Sequence, residues 1–430
     1  MDRLSVLVLH CLGDPALASV FLNHHVFALR NNCPDHDYLY HDATLPIPPY
    51  VAEQEFDAIL LDVSFLWARW VSREFLQARK DAYAFVAASP AVKLAYPQDE
   101  YDCNVLLDDW MCEWKVDVVF SVIASGWDVL YPRYHAHGEI RLGYTGYVDE
   151  SLIDRSTTPF HARKIDIGYR AKRLPPHFGR TGETKWAIGR DVAMLGRQAG
   201  LNVDIELGDA GTLYGDKWLG FIDSSRFTLG ANSGSSLLDP HGDIRRRVRA
   251  YVTSHPEACF EEVEAVCFPG MDGKHVFTAI SPRVLEAALL RSAQILVDGE
   301  YSGIVKPFEH FIPIRQDASN FREVRHAMSD ATEVQAMIER CRDAVLGVNA
   351  LRYSNKARMT LELIGDLATR RGLSTNGAKA RLAIARYQTE MPPRYASHWR
   401  VQRLRMRAMR ALSPFPLVLD ALRFMSRVAR

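Results

Sequence analysis

The sequence predicts an α/β protein with two doubly wound parallel sheets. Short apolar runs rich in Val, Ile and Leu alternate with helical patterns, which is typical of parallel strands covered by helices on both faces. This alternation stops once near the middle of the chain and then resumes. At 430 residues the chain also exceeds the usual size of one domain. We therefore expect two such sheets, one after the other.

The first half of the chain contains four short apolar runs bounded by turn residues. Runs of this length and composition are typical of buried parallel strands. The predicted strands are Leu4–His10, Asp57–Val63, Val92–Tyr96 and Val116–Val122, and the predicted helices are Pro15–Arg30, Trp67–Ala88 and Tyr101–Trp114.

The stretch His135–Thr158 interrupts this rhythm. It is rich in Gly and Tyr, which is typical of a connection between domains. We therefore expect a first domain at 1–150, a second domain at 151–350 and a basic helical extension at 351–430.

The second half repeats the alternation. It ends with a unit from Ile280 to Asn320 that is predicted to contain an amphipathic helix, a buried strand, a loop and a second strand. The predicted strands before that unit are Lys164–Tyr169, Asn202–Glu206 and Arg226–Leu229. The predicted helices outside it are Lys185–Ala199, Tyr214–Ser225, Arg245–Ser254, Phe260–Val266 and Glu333–Val348.

Composition excludes several classes of protein. Hydrophobic residues make up 48% and charged residues 24%, as in globular rather than disordered chains. No stretch approaches the roughly 20 apolar residues that span a bilayer, and the first strand follows Met1 closely, so we expect no signal peptide and a cytoplasmic protein. The seven cysteines are scattered without C-x-x-C spacing, which favours free thiols over disulfides or zinc.

The C-terminal segment is strongly basic. Residues 378–430 contain 12 Lys or Arg and 2 Asp or Glu, so a nearly neutral chain divides into an acidic body and a basic tail. Pro392-Pro393 punctuates this tail, and a final apolar run reads PFPLVLDALRFM. Arginines at 394, 400, 403, 405, 407 and 410 alternate with Trp399, Val401, Leu404, Met406 and Met409.

This tail admits three interpretations. A basic helix with aliphatic and aromatic residues suits an anionic membrane surface, and we favour this interpretation because polysaccharide acceptors are often lipid-linked. It also suits a helix that docks on the acidic body. Nucleic acid is the third option, but the acidic body opposes it, so we expect no nucleic-acid partner.

The segment SPRVLEAALL, from Ser281 to Leu290, is the most informative motif. Ser281 precedes Pro282 at a predicted helix start, where unpaired N–H groups and the helix dipole favour an anion. Arg283 and Glu286 share a helix face three residues apart, which by itself also describes an ordinary surface ion pair. The loop that follows the next strand contains Gly299 and Gly303, which permit close approach of a ligand to the backbone.

SPRVLEAALLRSAQILVDGEYSGI, followed by HFIPIRQDASN, resembles the donor-binding half of GT-B glycosyltransferases. The resemblance is to the group 1 type, which includes spore-maturation-like enzymes and bacterial surface-polysaccharide transferases. It covers roughly Lys164–Val348, and the N-terminal half is similar in architecture only. It implies a GT-B fold, in which two Rossmann-like domains face a cleft.

The resemblance also implies roles for individual residues. Glu286 would bind the ribose of a nucleotide sugar, while Ser281 and Arg283 would face its diphosphate. It places Arg170 and Lys172 at the first loop of the donor domain, and the Tyr301-Ser302-Gly303 loop beside the same pocket. Ser233 and Ser235 are further candidates for donor contact, although their small-residue loop fits a flexible loop facing the other domain at least as well. His310 is a candidate to donate to the leaving group or the sugar, but a structural role is the commoner one for such a residue. From the residues alone, the cluster that contains Arg170 and Lys172 fits a solvated basic loop equally well.

One position departs from the family pattern. Many retaining members carry a second glutamate eight positions before the first, and Thr278 stands there in this chain. The resemblance therefore leaves open whether the anomeric configuration is retained or inverted.

Three residues are candidates for a catalytic base. Asp99 and Glu100 follow a predicted strand, and a carboxylate there would point into the cleft, although acidic residues at this position also cap helices. His10 follows the first strand and precedes Asp14, but a lone histidine in this position is more often structural.

Asp35-His36-Asp37 has the D-x-D spacing of metal-dependent transferases. It lies early in the chain before a predicted strand, YLYHD, and we interpret it as a turn. We therefore expect no metal requirement and no prosthetic group.

These observations predict a transferase that moves a sugar from a nucleotide donor to a saccharide or lipid-linked acceptor in cell-surface polysaccharide assembly. Two alternatives remain. One is a nucleotide-sugar epimerase or phosphorylase with the same fold, and the other is a non-catalytic binding protein that has kept it.

Overall fold

A computed structural model gives the fold, and it describes residues 3–15, 17, 20–373 and 377–412. Within these residues the chain forms two main sheets, one after the other in sequence. The thirteen described strands are β1 Ser5–His10, β2 Asp37–Asp42, β3 Ala58–Leu61, β4 Val92–Ala95, β5 Val118–Ser121, β6 Glu139–Leu142, β7 Ile165–Ala171, β8 Val203–Leu207, β9 Ser225–Gly230, β10 Ser233–Ser235, β11 Phe277–Ala279, β12 Ala293–Val297 and β13 Ile312–Ile314.

Both main sheets are parallel and share a strand order. The first runs β2-β1-β3-β4-β5-β6, and the second runs β13-β12-β9-β7-β8. In each, the chain adds its second strand on one side of the first strand and its third strand on the other. This reversal leaves a crevice at the carboxyl ends of β1 and β3, and another at those of β7 and β9. The two sheets confirm the predicted fold class; the domain boundaries at 150 and 350 stay predictions.

Helices cover both sheets. The seventeen α-helices in the described residues are α1 Val20–Val26, α2 Ala28–Asn32, α3 Pro49–Ala52, α4 Val63–Leu66, α5 Arg73–Ala82, α6 Ala84–Ala88, α7 Asn104–Glu113, α8 Trp127–Leu130, α9 Gly179–Gln198, α10 Asp216–Asp223, α11 Asp243–Ser254, α12 Phe260–Cys267, α13 Pro282–Leu289, α14 Phe321–Met328, α15 Ala331–Gly347, α16 Tyr353–Arg370 and α17 Gly377–Leu412.

Two features differ from the sequence prediction. Strand β6 lies inside the segment that we interpreted as a connection, and it extends the first sheet beside β5. Between β9 and β12 the chain also forms an antiparallel pair that we did not predict, β10 with β11, whereas the helices α11 and α12 of the same segment agree with the prediction. At Gly234 in β10 only glycine fits, because φ is +134° and a Cβ would lie 1.9 Å from the carbonyl oxygen of Phe277.

The last two helices return to the first sheet. Leu361 of α16 packs in a core with residues of β1, β3 and β4, and Ile384 of α17 packs in the core on the other side. Tyr387 and Tyr395 bring their hydroxyls to the buried ring of His41, at 2.9 and 3.2 Å from Nδ1. The C-terminal helices are therefore part of the first half of the molecule.

Helix α17 continues through Pro392 and Pro393, which we expected to punctuate it. Met391 and Tyr395 are buried on either side of the proline pair, so packing against the first sheet holds the helix there. The apolar run PFPLVLDALRFM lies outside the described residues.

The two halves contact each other near the carboxyl ends of their sheets. The N–H of Cys103, after β4, donates to the carbonyl oxygen of Asp239 at 2.7 Å, and the N–H of Asp239 donates to Tyr101 at 2.9 Å. Arg245 of α11 pairs with the Asp102 carboxylate at 2.5 Å. The carboxyl ends of both sheets therefore border the same cleft.

Candidate functional site

A cavity of about 460 Å³ opens at the carboxyl ends of β7 and β9, at the reversal in strand order of the second sheet. This volume is in the range of small-molecule sites. Its lining comes from the ends of both strands and from the helices α9, α10 and α13. Among the predicted site residues, the lining includes Arg170, Lys172, Ser233, Ser281, Arg283 and Glu286.

The start of α13 forms one wall. Ser281 has extended backbone angles and Pro282 occupies the first helical turn, as the sequence predicts. The Ser281 side chain makes no capping hydrogen bond. Ser281 therefore does not cap the first N–H groups of α13. These N–H groups lie at the cavity and favour an anion there.

Glu286 is held in place by a tryptophan that the sequence analysis did not single out. The indole Nε1 of Trp218, on α10, donates to Glu286 Oε2 at 2.7 Å. Burial raises the pKa of Glu286, while the hydrogen bond from Trp218 and the charge of Arg283 lower it. Among the described residues no donor reaches Glu286 Oε1, so this oxygen can accept from a ligand hydroxyl.

Arg283 reaches across the cavity. Its Nη1 donates to the carbonyl oxygen of Arg170, and its guanidinium lies 5.1 Å from the ring centre of Trp218. Arg283 is exposed, so the other N–H groups of its guanidinium are open to a ligand.

Arg170 and Lys172 line the cavity, but carboxylates already pair with both of them. Arg170 Nη2 lies 2.8 Å from Asp204 Oδ1, and its guanidinium stacks over Phe221 at 4.0 Å. Lys172 Nζ lies 2.6 Å from Asp209, which raises the pKa of this exposed lysine. Their charge toward a ligand is therefore largely offset.

A second cation of the cavity without an ion pair is Lys185, on α9. Among the described residues its ammonium has neither an ion pair nor a hydrogen bond, although the residue is partly buried. Burial lowers the pKa of Lys185 to about 8; the charge of Asp99 opposes this shift, and that of Arg283 adds to it. Sequence reasoning missed this residue because it stood at the predicted start of a helix, with no motif around it.

Asp99 lies in the loop after β4, and its charge acts on Lys185. It is half-buried, its φ is +48°, and its Oδ1 accepts from the Tyr101 hydroxyl at 2.6 Å. Positive φ at a residue other than glycine costs free energy and is common at functional sites. Asp99 is thus the predicted base that borders the cleft.

Glu100 lies in a different environment. Its side chain is fully buried, and the Tyr131 hydroxyl donates to Oε1 at 3.2 Å. Burial is the main reason that the pKa of Glu100 rises to about 7. It is not among the residues that line the cavity.

His10 is also buried, at the end of β1. Burial lowers the pKa of His10 to about 4, with Asp42 acting in the opposite direction. Asp14, in the loop that follows, pairs with Arg403 of α17 at 2.5 Å. This part of the site prediction therefore lies on the first sheet, away from the cavity lining.

Five predicted donor contacts do not line the cavity. Ser235 is buried and donates to the Phe178 and Leu237 carbonyl oxygens, and the buried Tyr301 hydroxyl donates to Val297. Ser302 Oγ accepts from the Ile280 N–H at 3.1 Å. His310 Nδ1 accepts from the Lys306 N–H at 3.0 Å, and Gly303 forms a turn with φ +70°. These contacts shape the loops around β10 and β12.

The described residues contain no group of three or more His, Cys, Asp or Glu side chains arranged for a metal ion. In the D-x-D sequence, Asp37 is the first residue of β2 and pairs with Arg3 at 2.6 Å. The metal independence of the protein stays a prediction. No helix in the part of the chain that the structure describes is long and apolar enough to cross a membrane.

Comparisons with protein-family models and with curated proteins find no match. Among solved structures, Anabaena Alr3699/HepE in complex with UDP-glucose has 10% identity and a TM-score of 0.49, covering 85% of this chain and 100% of that one. An alpha-glucosyltransferase in complex with UDP and DNA has 9% identity and a TM-score of 0.47, covering 84% and 99%. A glycosyltransferase from Rickettsia africae ESF-5 has 10% identity and a TM-score of 0.47, covering 85% and 99%.

These comparisons correct one expectation. We excluded nucleic acid as a partner because the body of the chain is acidic, yet several of the similar alpha-glucosyltransferase structures are complexes with DNA. The expectation of no nucleic-acid partner is therefore not kept.

Proposed function

We propose that this protein transfers a sugar from a nucleotide-sugar donor to an acceptor hydroxyl. One observation carries the proposal: the unpaired ammonium of Lys185, the start of α13 and the Glu286 carboxylate line a single cavity. A cation and free helix N–H groups suit a diphosphate, and a fixed carboxylate suits ribose hydroxyls.

The diphosphate and the ribose of a nucleotide sugar then each have partners in the cavity. Lys185, Arg283 and the first N–H groups of α13 bind the diphosphate, and Glu286 accepts from the ribose while Trp218 holds its carboxylate. The same cations stabilise the negative charge that develops on the diphosphate as it leaves. The donor side thus supplies both affinity and leaving-group stabilisation from residues of the chain itself.

In the transfer step the acceptor oxygen forms a bond to the anomeric carbon. The bond between that carbon and the diphosphate oxygen breaks, and its electron pair leaves with the diphosphate. The acceptor proton passes to a base, and Asp99 is the carboxylate that borders the cleft beside Lys185.

We further propose a saccharide or lipid-linked acceptor and a role in cell-surface polysaccharide assembly at a membrane. Support comes from the exposed end of α17, beyond its packed part. It carries Arg400, Arg405 and Arg407 together with Val401, Leu404 and Met406, whose exposed fractions are 48%, 58% and 42%. Arginines with apolar neighbours suit an anionic lipid surface.

A two-stage experiment tests the function. Thermal-shift screening against nucleoside diphosphates and nucleotide sugars identifies the donor, because a ligand that binds only the folded state stabilises it. The donor is then incubated with saccharides, lipid-linked saccharides and duplex DNA, and products are identified by mass spectrometry. A glycosylated acceptor is the expected result. A free epimer, phosphate-dependent cleavage, or stabilisation by no nucleotide would overturn the proposal.

A further inference from the structure

A pair of tryptophans lies where the two halves of the molecule meet, outside the donor cavity. Trp67 and Trp70 form a short 3₁₀ turn after α4, beyond the carboxyl end of β3. Their rings are stacked, with centres 6.0 Å apart and planes inclined at 25°. Both residues remain partly exposed, and the next residue, Val71, is 64% exposed.

The turn is anchored to the loop that carries Asp99. The buried Arg69 guanidinium donates to the carbonyl oxygens of Gln98 and Asp99, at 2.6 and 3.3 Å, and lies 4.3 Å from the ring centre of Trp70. The Trp70 indole N–H donates to the Asp102 carbonyl oxygen at 3.3 Å. The tryptophan pair is therefore fixed next to Asp99.

The second half of the molecule reaches the same place. Arg245 of α11 lies 5.5 Å from the ring centre of Trp70 while it pairs with Asp102. The Trp67 indole N–H has no acceptor among the described residues. Stacked rings, an open N–H group and a partly exposed guanidinium thus occur together at the edge of the cleft.

We propose that Trp67 and Trp70 form an acceptor platform that binds a pyranose ring of a saccharide. The C–H face of a pyranose packs on aromatic rings, and its hydroxyls can accept hydrogen bonds from the Trp67 indole N–H and the Arg245 guanidinium beside the rings. The platform lies beside Asp99, whose charge acts on Lys185 of the donor cavity, so a sugar held here has a route to the reacting carbon. This inference rests on the proposed transferase function and assigns its acceptor to the saccharide class.

Saturation-transfer NMR with methyl glucoside, methyl galactoside, methyl mannoside and the disaccharide maltose tests the platform. At least one probe is expected to receive saturation mainly on the C–H protons of one ring face. Trp67→Ala should abolish the signal, whereas Phe308→Ala, which removes an aromatic side chain that is 76% exposed elsewhere, should leave it unchanged.

Two further measurements separate the outcomes. Nucleotide affinity, measured by calorimetry, should be the same in Trp67→Ala and the wild type, because Trp67 does not line the donor cavity. If nucleotide binds and no saccharide is saturated, or if saturation survives in Trp67→Ala, the platform is refuted while the transferase proposal stands. If no nucleotide binds, the transferase proposal fails. Binding of a 13-base-pair DNA duplex that depends on Trp67, without saccharide binding, would assign the platform to nucleic acid and refute it for saccharides.

Discussion

Replacing Lys185 by Met removes a cation of the donor cavity that has no ion pair among the described residues. The substitution keeps the length of the side chain, so the main loss is a charge-assisted contact with the diphosphate. Such a contact contributes about 1.5–3 kcal/mol, because the ammonium sits in a partly buried site. We therefore expect the Kd for the nucleoside diphosphate to rise by roughly 10- to 150-fold.

The pH dependence gives this prediction a second signature. Burial lowers the pKa of Lys185 to about 8, so the free protein loses this positive charge as the pH rises through that value. Nucleotide affinity of the wild type should fall between about pH 7 and pH 9, while that of Lys185→Met should stay flat across the same step.

The folding stability of the protein changes with pH in the direction opposite to nucleotide affinity. The folded-state pKa of Lys185 lies below the usual lysine value of 10.5, so the folded protein carries an unfavourable charge below about pH 8. That cost shrinks as the pH rises from 8 to 10.5 and is absent above that range. Lys185→Met should therefore unfold at the same or a higher temperature at pH 7, and a loss of affinity would not reflect misfolding.

Calorimetric titration with the diphosphate found in the thermal-shift screen measures the effect. Lys164→Ala is the matched control, because Lys164 is exposed and precedes β7 at the opposite end of that strand. Equal Kd values for the wild type and Lys185→Met at pH 7 would refute the reasoning. So would a pH step that persists in the variant.

Four further predictions concern the donor, the base, the tail and the metal. Glu286→Gln should weaken binding of a nucleoside diphosphate several-fold but leave inorganic pyrophosphate unaffected, as calorimetry with both ligands would show, because only the nucleotide has ribose hydroxyls. Asp99→Asn should lower kcat roughly 100-fold or more, while the Kd of the donor changes less than about threefold. It should also shift the loss of nucleotide affinity to lower pH, because the charge of Asp99 raises the pKa of Lys185. An unchanged kcat would eliminate Asp99 as the base. The combined variant Arg400→Gln, Arg405→Gln and Arg407→Gln should weaken the free energy of binding to anionic vesicles by roughly 1 kcal/mol per arginine, measured by sedimentation, and leave binding to neutral vesicles unchanged. These substitutions keep the buried Tyr395, which a truncation after Pro392 would remove from the core. EDTA should leave activity intact, and a loss restored by Mn²⁺ would reinstate the Asp35–Asp37 metal site.

Most strands of the two main sheets were predictable because they are short apolar runs between polar turns. The helix start at Ser281–Arg283 was equally visible, since serine and proline at these positions follow local rules of helix initiation. Strand β6 was missed because it is polar and largely exposed along its length. The segment forms a strand because it pairs with β5. That pairing depends on a neighbouring strand and is not visible in the residues of β6 themselves.

The sequence by itself determined the α/β class, the double winding and the helix that contributes Arg283 and Glu286, because all of these follow from local patterns of apolar and capping residues. Only the tertiary structure decided which charges are available to a ligand. Arg170 and Lys172 pair with Asp204 and Asp209, which lie 34 and 37 residues further along the chain, whereas Lys185 has no ion pair among the described residues. It also separated Asp99 from its neighbour Glu100, since adjacent side chains point in different directions and only one reaches the cleft. Contacts between residues far apart in the sequence decide which charges are paired and which carboxylate borders the cleft. The spacing of residues along the chain carries little information about such contacts.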